Sequence, residues 1–140
     1  MKLHQETVRI EPRGPGLHDV TGQIRKVVAA AGLRTGLVNV CVLHTSASLV
    51  VQENADPSVR RDLQRFLARI VPEDADYEHD SEGADDMPSH IRAALTRTAE
   101  TLPVSGGDLA LGTWQAIYLI EHRKRPHRRE IVLQFIGGNQ

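Results

Sequence analysis

The chain has 140 residues, 40% hydrophobic, 25% charged and 4% aromatic, and a formal net charge of −1. That length fits one domain with a core of its own, and the near-neutral charge argues against nucleic-acid binding, which needs bases facing phosphates with few acids to oppose them. No apolar run approaches the roughly 18 residues of a membrane helix, and MKLHQETVRI lacks the apolar core of a signal peptide, so a cytoplasmic protein with no membrane attachment is expected.

Residues 6–10, ETVRI, predict a short strand. Beyond the breakers Pro12, Gly14, Pro15 and Gly16, the residues Val20, Ile24, Val27, Val28 and Ala31 recur at helical spacing, and Gly32 supplies a stop. LVNVCVLH (37–44) is β-branched and alternating, and SASLVVQE (46–53) continues after a bend at Thr45-Ser46, which predicts two strands. The single cysteine, Cys41, has no internal partner and reads as a small hydrophobe.

Asp56 and Pro57 form an N-cap and first-turn proline for a second helix. Val59, Leu63, Phe66, Leu67 and Ile70 make its apolar stripe, with Arg60, Arg61, Arg65 and Arg69 opposite. A third helix is expected from about Met87 to Ala99, with Met87, Ile91, Ala94, Leu95 and Leu102 on or near one side. GDLALGTWQAIYLIEH and REIVLQFIG then predict two strands joined by a basic turn. The strand from Leu109 to His122 is apolar on both faces, as expected beneath a second layer or a neighbouring subunit. Helices interrupt the strands irregularly, so the expected fold is α+β: a single compact domain with a mixed, largely antiparallel sheet and about three helices.

The densest group of chemically active side chains lies between His79 and His90, where Asp80, Glu82, Asp85 and Asp86 accompany two histidines. Two carboxylates about 5 Å apart repel by roughly 3 kcal/mol at an effective dielectric near 20, but by under about 1 kcal/mol in bulk water. Such acids are cheap in a solvated loop; in a cleft they need a cation, arginines or shared protons. Asp86 alone reads as a helix cap. His90, in the first turn, faces the positive end of the helix dipole, which favours a neutral ring able to act as ligand, acceptor or base. The spacing matches neither a zinc pattern nor an EF-hand.

Elsewhere, His44 shares strand parity with Val38, Val40 and Val42 and must hydrogen-bond something at the rim of a core. Thr45, Ser46, Asn54 and Asp56 lie close to it in sequence, but no G-x-S-x-G elbow accompanies them. Trp114, in GTWQ, is either core or a flat face for an aromatic ring. The basic turn with Arg123, Lys124, Arg125, Arg128 and Arg129 either grips phosphate or is a solvated hairpin end, and no glycine-rich phosphate loop is present.

HTSASLVVQENADP (44–57), YEHDSEGADDMPSHI (77–91) and LGTWQAIYLIEH (111–122), in this order and at these separations, resemble the YjbQ-like family, associated with secondary thiamine-phosphate synthase activity. The resemblance runs over nearly the whole chain. It implies a compact α+β fold, a homotrimer, and a site at which His44, His79 and His90 converge on a divalent metal ion, zinc or magnesium. Thr45, Ser46, Asn54, Trp114 and Gln115 would lie nearby as substrate-binding residues, and Glu82 or Asp85 would be the catalytic carboxylate. GADDMPSH departs from the asparagine-containing form of many relatives, which leaves the choice of acid open.

The implied reaction condenses hydroxymethylpyrimidine diphosphate with a thiazole phosphate, giving thiamine phosphate and pyrophosphate. Breaking the pyrimidine C–O bond places negative charge on pyrophosphate and positive charge on the benzylic-type carbon. A metal aided by Arg128 or Arg129 would neutralise the first, and carboxylates or Trp114 would shelter the second. Diphosphate chemistry usually recruits magnesium, whereas three histidines favour zinc. The dedicated enzyme for this reaction resembles a TIM-type barrel, which needs about 200 residues or more, so the activity fits a secondary role here. A metal-dependent hydrolase of a small phosphorylated or cyclic substrate, and a non-catalytic binder of phosphorylated metabolites, are the alternatives.

Overall fold

Strand alternation accounts for most of the architecture in this computed structural model, which describes residues 1–140. The elements in chain order are β1 (Lys2–Ile10), β2 (Gly16–Asp19), α1 (Thr21–Ala31), β3 (Thr35–Val42), β4 (Ala47–Glu53), α2 (Pro57–Ile70), α3 (Asp86–Leu95), β5 (Ala99–Ser105), β6 (Asp108–Leu109), β7 (Gln115–Glu121) and β8 (Arg129–Gly138). They form a five-stranded sheet, β1-β8-β3-β5-β6, and a three-stranded sheet, β2-β7-β4. Every strand pair is antiparallel. The fold is α+β, as the sequence predicts, with three helices.

The inward residues of both sheets meet in one core. Val38, Val40 and Val42 of β3 and Leu133 and Phe135 of β8 pack with Leu49 of β4 and Ile117 and Leu119 of β7, and Ile24 and Val28 of α1 close one side. Each such burial is worth about 1.5–3 kcal/mol. Helix α1 stops where expected, at Gly32, whose φ of 70° is the left-handed C-cap conformation. β7 is buried on both faces, as its two-sided apolar pattern requires.

Three expectations are corrected. The third helix ends at Leu95 rather than Ala99, because the chain turns extended at Thr96 and Arg97 exchanges backbone hydrogen bonds with Leu49 of β4. Leu102 therefore belongs to β5, a strand favoured by β-branched Thr101 and Val104. The basic turn does not close a hairpin either. β7 and β8 lie in different sheets, and the turn carries the chain from one to the other. The long strand expected from Leu109 to His122 divides into β6 and β7 around Gly112.

Helices α2 and α3 flank the acidic segment in the chain. α3 docks on the outer face of the three-stranded sheet through Ser89, whose hydroxyl donates to the His122 carbonyl at 3.0 Å, and Thr96, whose hydroxyl donates to Ser48 Oγ at 2.6 Å. α2 starts at the expected cap, with Asp56 accepting from the Ser58 N–H at 2.9 Å. None of its residues is buried, however, and Phe66 and Ile70 are 49% and 48% exposed. No helix is long and apolar enough to cross a membrane.

Candidate functional site

Asp86 opens α3, and its 3%-exposed carboxylate is the hub of a cluster. His90 lies four residues on, hence on the same helix face, and His79 comes from the preceding loop. Asp86 Oδ2 is 2.6 Å from His79 Nε2 and 3.2 Å from His90 Nε2. One ligand atom from each of the three residues lies within 4.8 Å of the others.

The far side of His90 decides its chemistry. Its Nδ1 lies 3.0 Å from the Thr45 carbonyl. A carbonyl only accepts, so Nδ1 carries a proton, and a neutral His90 then aims the Nε2 lone pair at a carboxylate oxygen. Two facing acceptors at that distance need a proton or a cation between them. A backbone carbonyl fixing one ring nitrogen while the other stays free is also how metal-ligating histidines are oriented.

The charges agree with this arrangement. The hydrogen bond that His79 donates to Asp86, foremost, and the nearby Asp86 and Glu82 charges raise the His79 pKa against a smaller effect of burial. Burial pushes the Asp86 carboxyl upward, but the His79 hydrogen bond, the positive charge that a proton shared with His90 brings, and the Arg123 charge outweigh it and hold the pKa below the ordinary value.

Arg123 fixes the hub from behind. Its Nη1 donates to Asp86 Oδ1, leaving Oδ2 for the histidines. Its Nε donates to Asp85 Oδ2 at 3.1 Å and its Nη2 to the Glu82 carbonyl at 3.1 Å. The Lys124 N–H donates to Asp85 Oδ2 at 2.9 Å, and Lys124 Nζ donates to Glu73 Oε2 at 2.9 Å. The acidic loop is thus laid along the basic turn, with Gly83 at φ +104° making the bend that an L side chain would resist. A cavity of about 260 Å³, lined in part by Tyr77, His79, Asp80 and Met87, opens beside the cluster.

The remaining residues singled out by sequence divide into several places. His44 lies outside the cluster: its Nε2 accepts the Glu130 N–H at 2.8 Å, which puts the proton of the neutral ring on Nδ1 and leaves no lone pair for a metal. Burial and, next, Arg129 lower its pKa, in keeping with that neutral form. Thr45 reaches the cluster through its carbonyl alone among its hydrogen bonds. Glu82 does reach it, with Oε2 3.1 Å from His79 Nε2 and a 64%-exposed side chain. Asp85 is committed to Arg123 and Lys124; burial raises its pKa, but those hydrogen bonds more than reverse the effect, so it makes a poor base.

Arg129 cannot grip a phosphate. Only 3% exposed, it donates to both Glu121 oxygens, at 2.6 and 2.7 Å, and to the Ser46 carbonyl and Oγ, which also removes Ser46 from substrate binding. Arg128 points outward and pairs with Glu11 at 3.0 Å. Asn54, Trp114 and Gln115 gather at the opposite end of the β4–β7 ladder, where the Asn54 N–H donates to the Trp114 carbonyl and Gln115 Oε1 accepts the Gly112 N–H. Glu53 pairs with Gln115 at that end, and Ala47 pairs with Glu121 at the other. β4 spans seven residues, so about 20 Å separates the two groups. Trp114 is 62% exposed and is not core.

Asp86 and Arg123 are the residues of this cluster that sequence reasoning undervalued. The four-residue step from Asp86 to His90 on one helix is a signal that finds the first. Nothing in the local sequence announces the second, whose partners lie about forty positions away.

A family model described as "UPF0047 protein YjbQ-like" matches residues 6–138. UPF0047 protein sll1880 of Synechocystis sp. is 53% identical over 137 residues, which span 97% of this chain and 93% of that protein. UPF0047 protein YjbQ of Salmonella typhimurium is 44% identical over 135 residues, spanning 96% and 98%. Among solved structures, a YjbQ/UPF0047 family protein from Clostridium acetobutylicum superposes with a TM-score of 0.83 at 30% identity, over 95% of this chain and 99% of that one. A YbjQ-like protein from Sulfolobus solfataricus P2 gives a TM-score of 0.89 over 97% and 98%, at 23% identity, a likeness of fold alone.

Proposed function

The chain belongs to the YjbQ-like UPF0047 family, and on that premise we propose that it is a cytoplasmic, divalent-metal-dependent enzyme that condenses hydroxymethylpyrimidine diphosphate with thiazole phosphate as a secondary activity. The observation that carries the reading is the convergence of His79 Nε2 and His90 Nε2 on one oxygen, Asp86 Oδ2, at 2.6 and 3.2 Å, with the other His90 nitrogen anchored on Thr45.

The donor set fits a metal ion. Two imidazoles and one carboxylate, with open positions remaining, suit zinc or another transition ion better than magnesium, which prefers oxygens. His79, Asp86 and His90 would hold it, and an ion there supplies Lewis-acid neutralisation of phosphate oxygens. Arg123 keeps one Asp86 oxygen turned away from the histidines, and Thr45 keeps His90 in the tautomer with a free Nε2. Glu82, exposed beside His79, is the carboxylate free to take a proton or face the developing positive charge. Within one chain Trp114 and Asn54 stand about 20 Å from the histidines, so they can join this site only from another copy, in the homotrimer that we propose.

A metal-dependent hydrolase is the second reading. It is favoured by the 43% exposure of the His79 side chain, which lets water reach the cluster. Product analysis separates the two. The transferase releases pyrophosphate only when both precursors are present, and the hydrolase needs one substrate and water. Elemental analysis of the purified protein should find a bound transition ion that His79→Ala and His90→Ala both lose; retention of the ion in both variants overturns the ligand assignment. Glu82→Gln should lower turnover by about tenfold or more while the metal stays bound, and unchanged kinetics would remove Glu82 from the mechanism.

A further inference from the structure

The connection between β1 and β2, residues 11–15, and the basic turn between β7 and β8, residues 122–128, border a common cavity. Its volume is about 460 Å³, and its lining is Glu11, Pro12, Arg13, Pro126, His127 and Arg128. Small-molecule sites span ~300–1,000 Å³. Both walls are held in shape. Pro12 is buried, the Gly14 carbonyl accepts from His18 Nε2 at 2.8 Å, and the Arg125 carbonyl accepts from His127 Nδ1 at 2.6 Å. Pro12 and Pro126 each fix a backbone angle as well.

The two segments carry more positive charge than the chain neutralises. Arg13, Arg123, Lys124, Arg125 and Arg128 stand against one carboxylate of their own, Glu11. Arg123 and Lys124 pair with the acidic loop, and Arg128 pairs with Glu11, so Arg13 and Arg125 are left with no carboxylate. Nor does Glu11 hold Arg128 firmly. The two side chains are 71% and 86% exposed, and pairs of that kind contribute about 0–1 kcal/mol. The contact uses Arg128 Nε alone, which leaves Nη1 and Nη2 uncommitted. His127, with Nδ1 on the Arg125 carbonyl, keeps Nε2 for another partner.

We propose that this cavity is a subsite for the phosphate monoester of a small metabolite, gripped by the guanidiniums of Arg13 and Arg128 with His127 Nε2 as a third polar contact. A monoester carries about −1.5 to −2 charges at neutral pH, which matches the two cations that lack a carboxylate. Its three terminal oxygens suit the planar donor forks of two arginines; a lone carboxylate would occupy only one of them. The subsite is separate from the metal cluster but not remote from it. Lys124, whose N–H donates to Asp85, precedes His127 by three residues, at most about 11 Å of chain. A substrate phosphate bound here therefore leaves the far end of the molecule within reach of the histidines, a consequence that, unlike the subsite itself, rests on the function proposed above.

The test is a ³¹P titration with ethyl phosphate of His90→Ala, a full chain that has lost a metal ligand but keeps the cavity. Saturable broadening is expected. Adding Arg13→Ser or Arg128→Ser should weaken binding about tenfold each, the loss expected when one charged hydrogen bond is removed. Lys26→Ser, which removes an exposed charge from α1, should leave binding unchanged, and dimethyl phosphate, a diester with a single charge, should bind more weakly. All three added substitutions lie at exposed positions, and circular dichroism checks the fold; chelator-stripped wild type replaces His90→Ala should that variant not fold. Broadening seen only in the metal-loaded wild type would place the phosphate on the ion, which overturns the subsite and leaves the metal site standing. Equal losses in Arg13→Ser, Arg128→Ser and Lys26→Ser, or a diester that binds as well as the monoester, also overturn it.

Discussion

Two histidines of this chain respond in opposite directions to their surroundings. His79 lies in the loop against Asp86 and gains affinity for its proton, whereas His122, buried beside two arginines, loses it, with a pKa of about 4. The second shift has a consequence for stability. In the unfolded chain His122 titrates near the ordinary ~6.5, so between pH 6.5 and 4 the unfolded state binds the proton that the native state refuses. Stability is complete above that window, falls as the pH drops through it, and levels off below about pH 4. The full effect is roughly 3 kcal/mol. Urea unfolding at a series of pH values should show this decline in the wild type and a shallower one in His122→Gln. Parallel curves for the two proteins would mean that His122 is not the group responsible.

Among the elements, the loop before α3 depends most on a distant partner. Arg123 touches Asp85, Asp86 and the Glu82 carbonyl at once, and its 16%-exposed side chain is the only arginine or lysine hydrogen-bonded to Asp86. Groups that orient metal ligands typically change affinity by about 10–100-fold when removed. Arg123→Met should therefore weaken metal binding by that order in a chelator competition, with His79 and His90 intact, and Arg123→Lys should restore part of it. Equal affinities across the three proteins would show that the loop holds its shape unaided. The same residue marks where sequence stops being informative. Periodicity and caps reveal α1 through Gly32, α2 through Asp56 and the core strands through Val38, Val40 and Val42, because those signals are local. They do not reveal that β7 and β8 separate into two sheets, since that rests on pairings with strands far away in the chain, nor that His44 spends its lone pair on the Glu130 N–H. The candidate site was legible as a loop rich in ligands; that Asp86, one of its four acids and readable as a helix cap, is the hub was not, and the cap position falls to Asp85.

At the scale of the whole molecule, the single chain leaves matching surfaces unfilled. The stripe on α2 has the spacing of a core-facing helix, yet Phe66 and Ile70 stay half exposed and Trp114 stands 62% exposed at the end of the β4–β7 ladder. Apolar area removed from water contributes about 25 cal/mol per Å², so a helix of this pattern gains from a cover that the chain does not supply. The arginines along α2 and the acidic segment from Glu73 to Asp86 carry opposite charge, which allows one copy to meet another head to tail and a closed ring to form. The homotrimer proposed above would provide that cover. Phe66→Asp tests it, because a half-exposed side chain contributes little to the isolated chain, about 1 kcal/mol or less, but would place a charge in an apolar contact between copies. Sedimentation should show the wild type as a trimer and Phe66→Asp as a folded monomer with a native circular dichroism spectrum. A wild type that sediments as a monomer would leave the α2 stripe solvated, and would confine any catalysis to the one cluster of His79, Asp86 and His90.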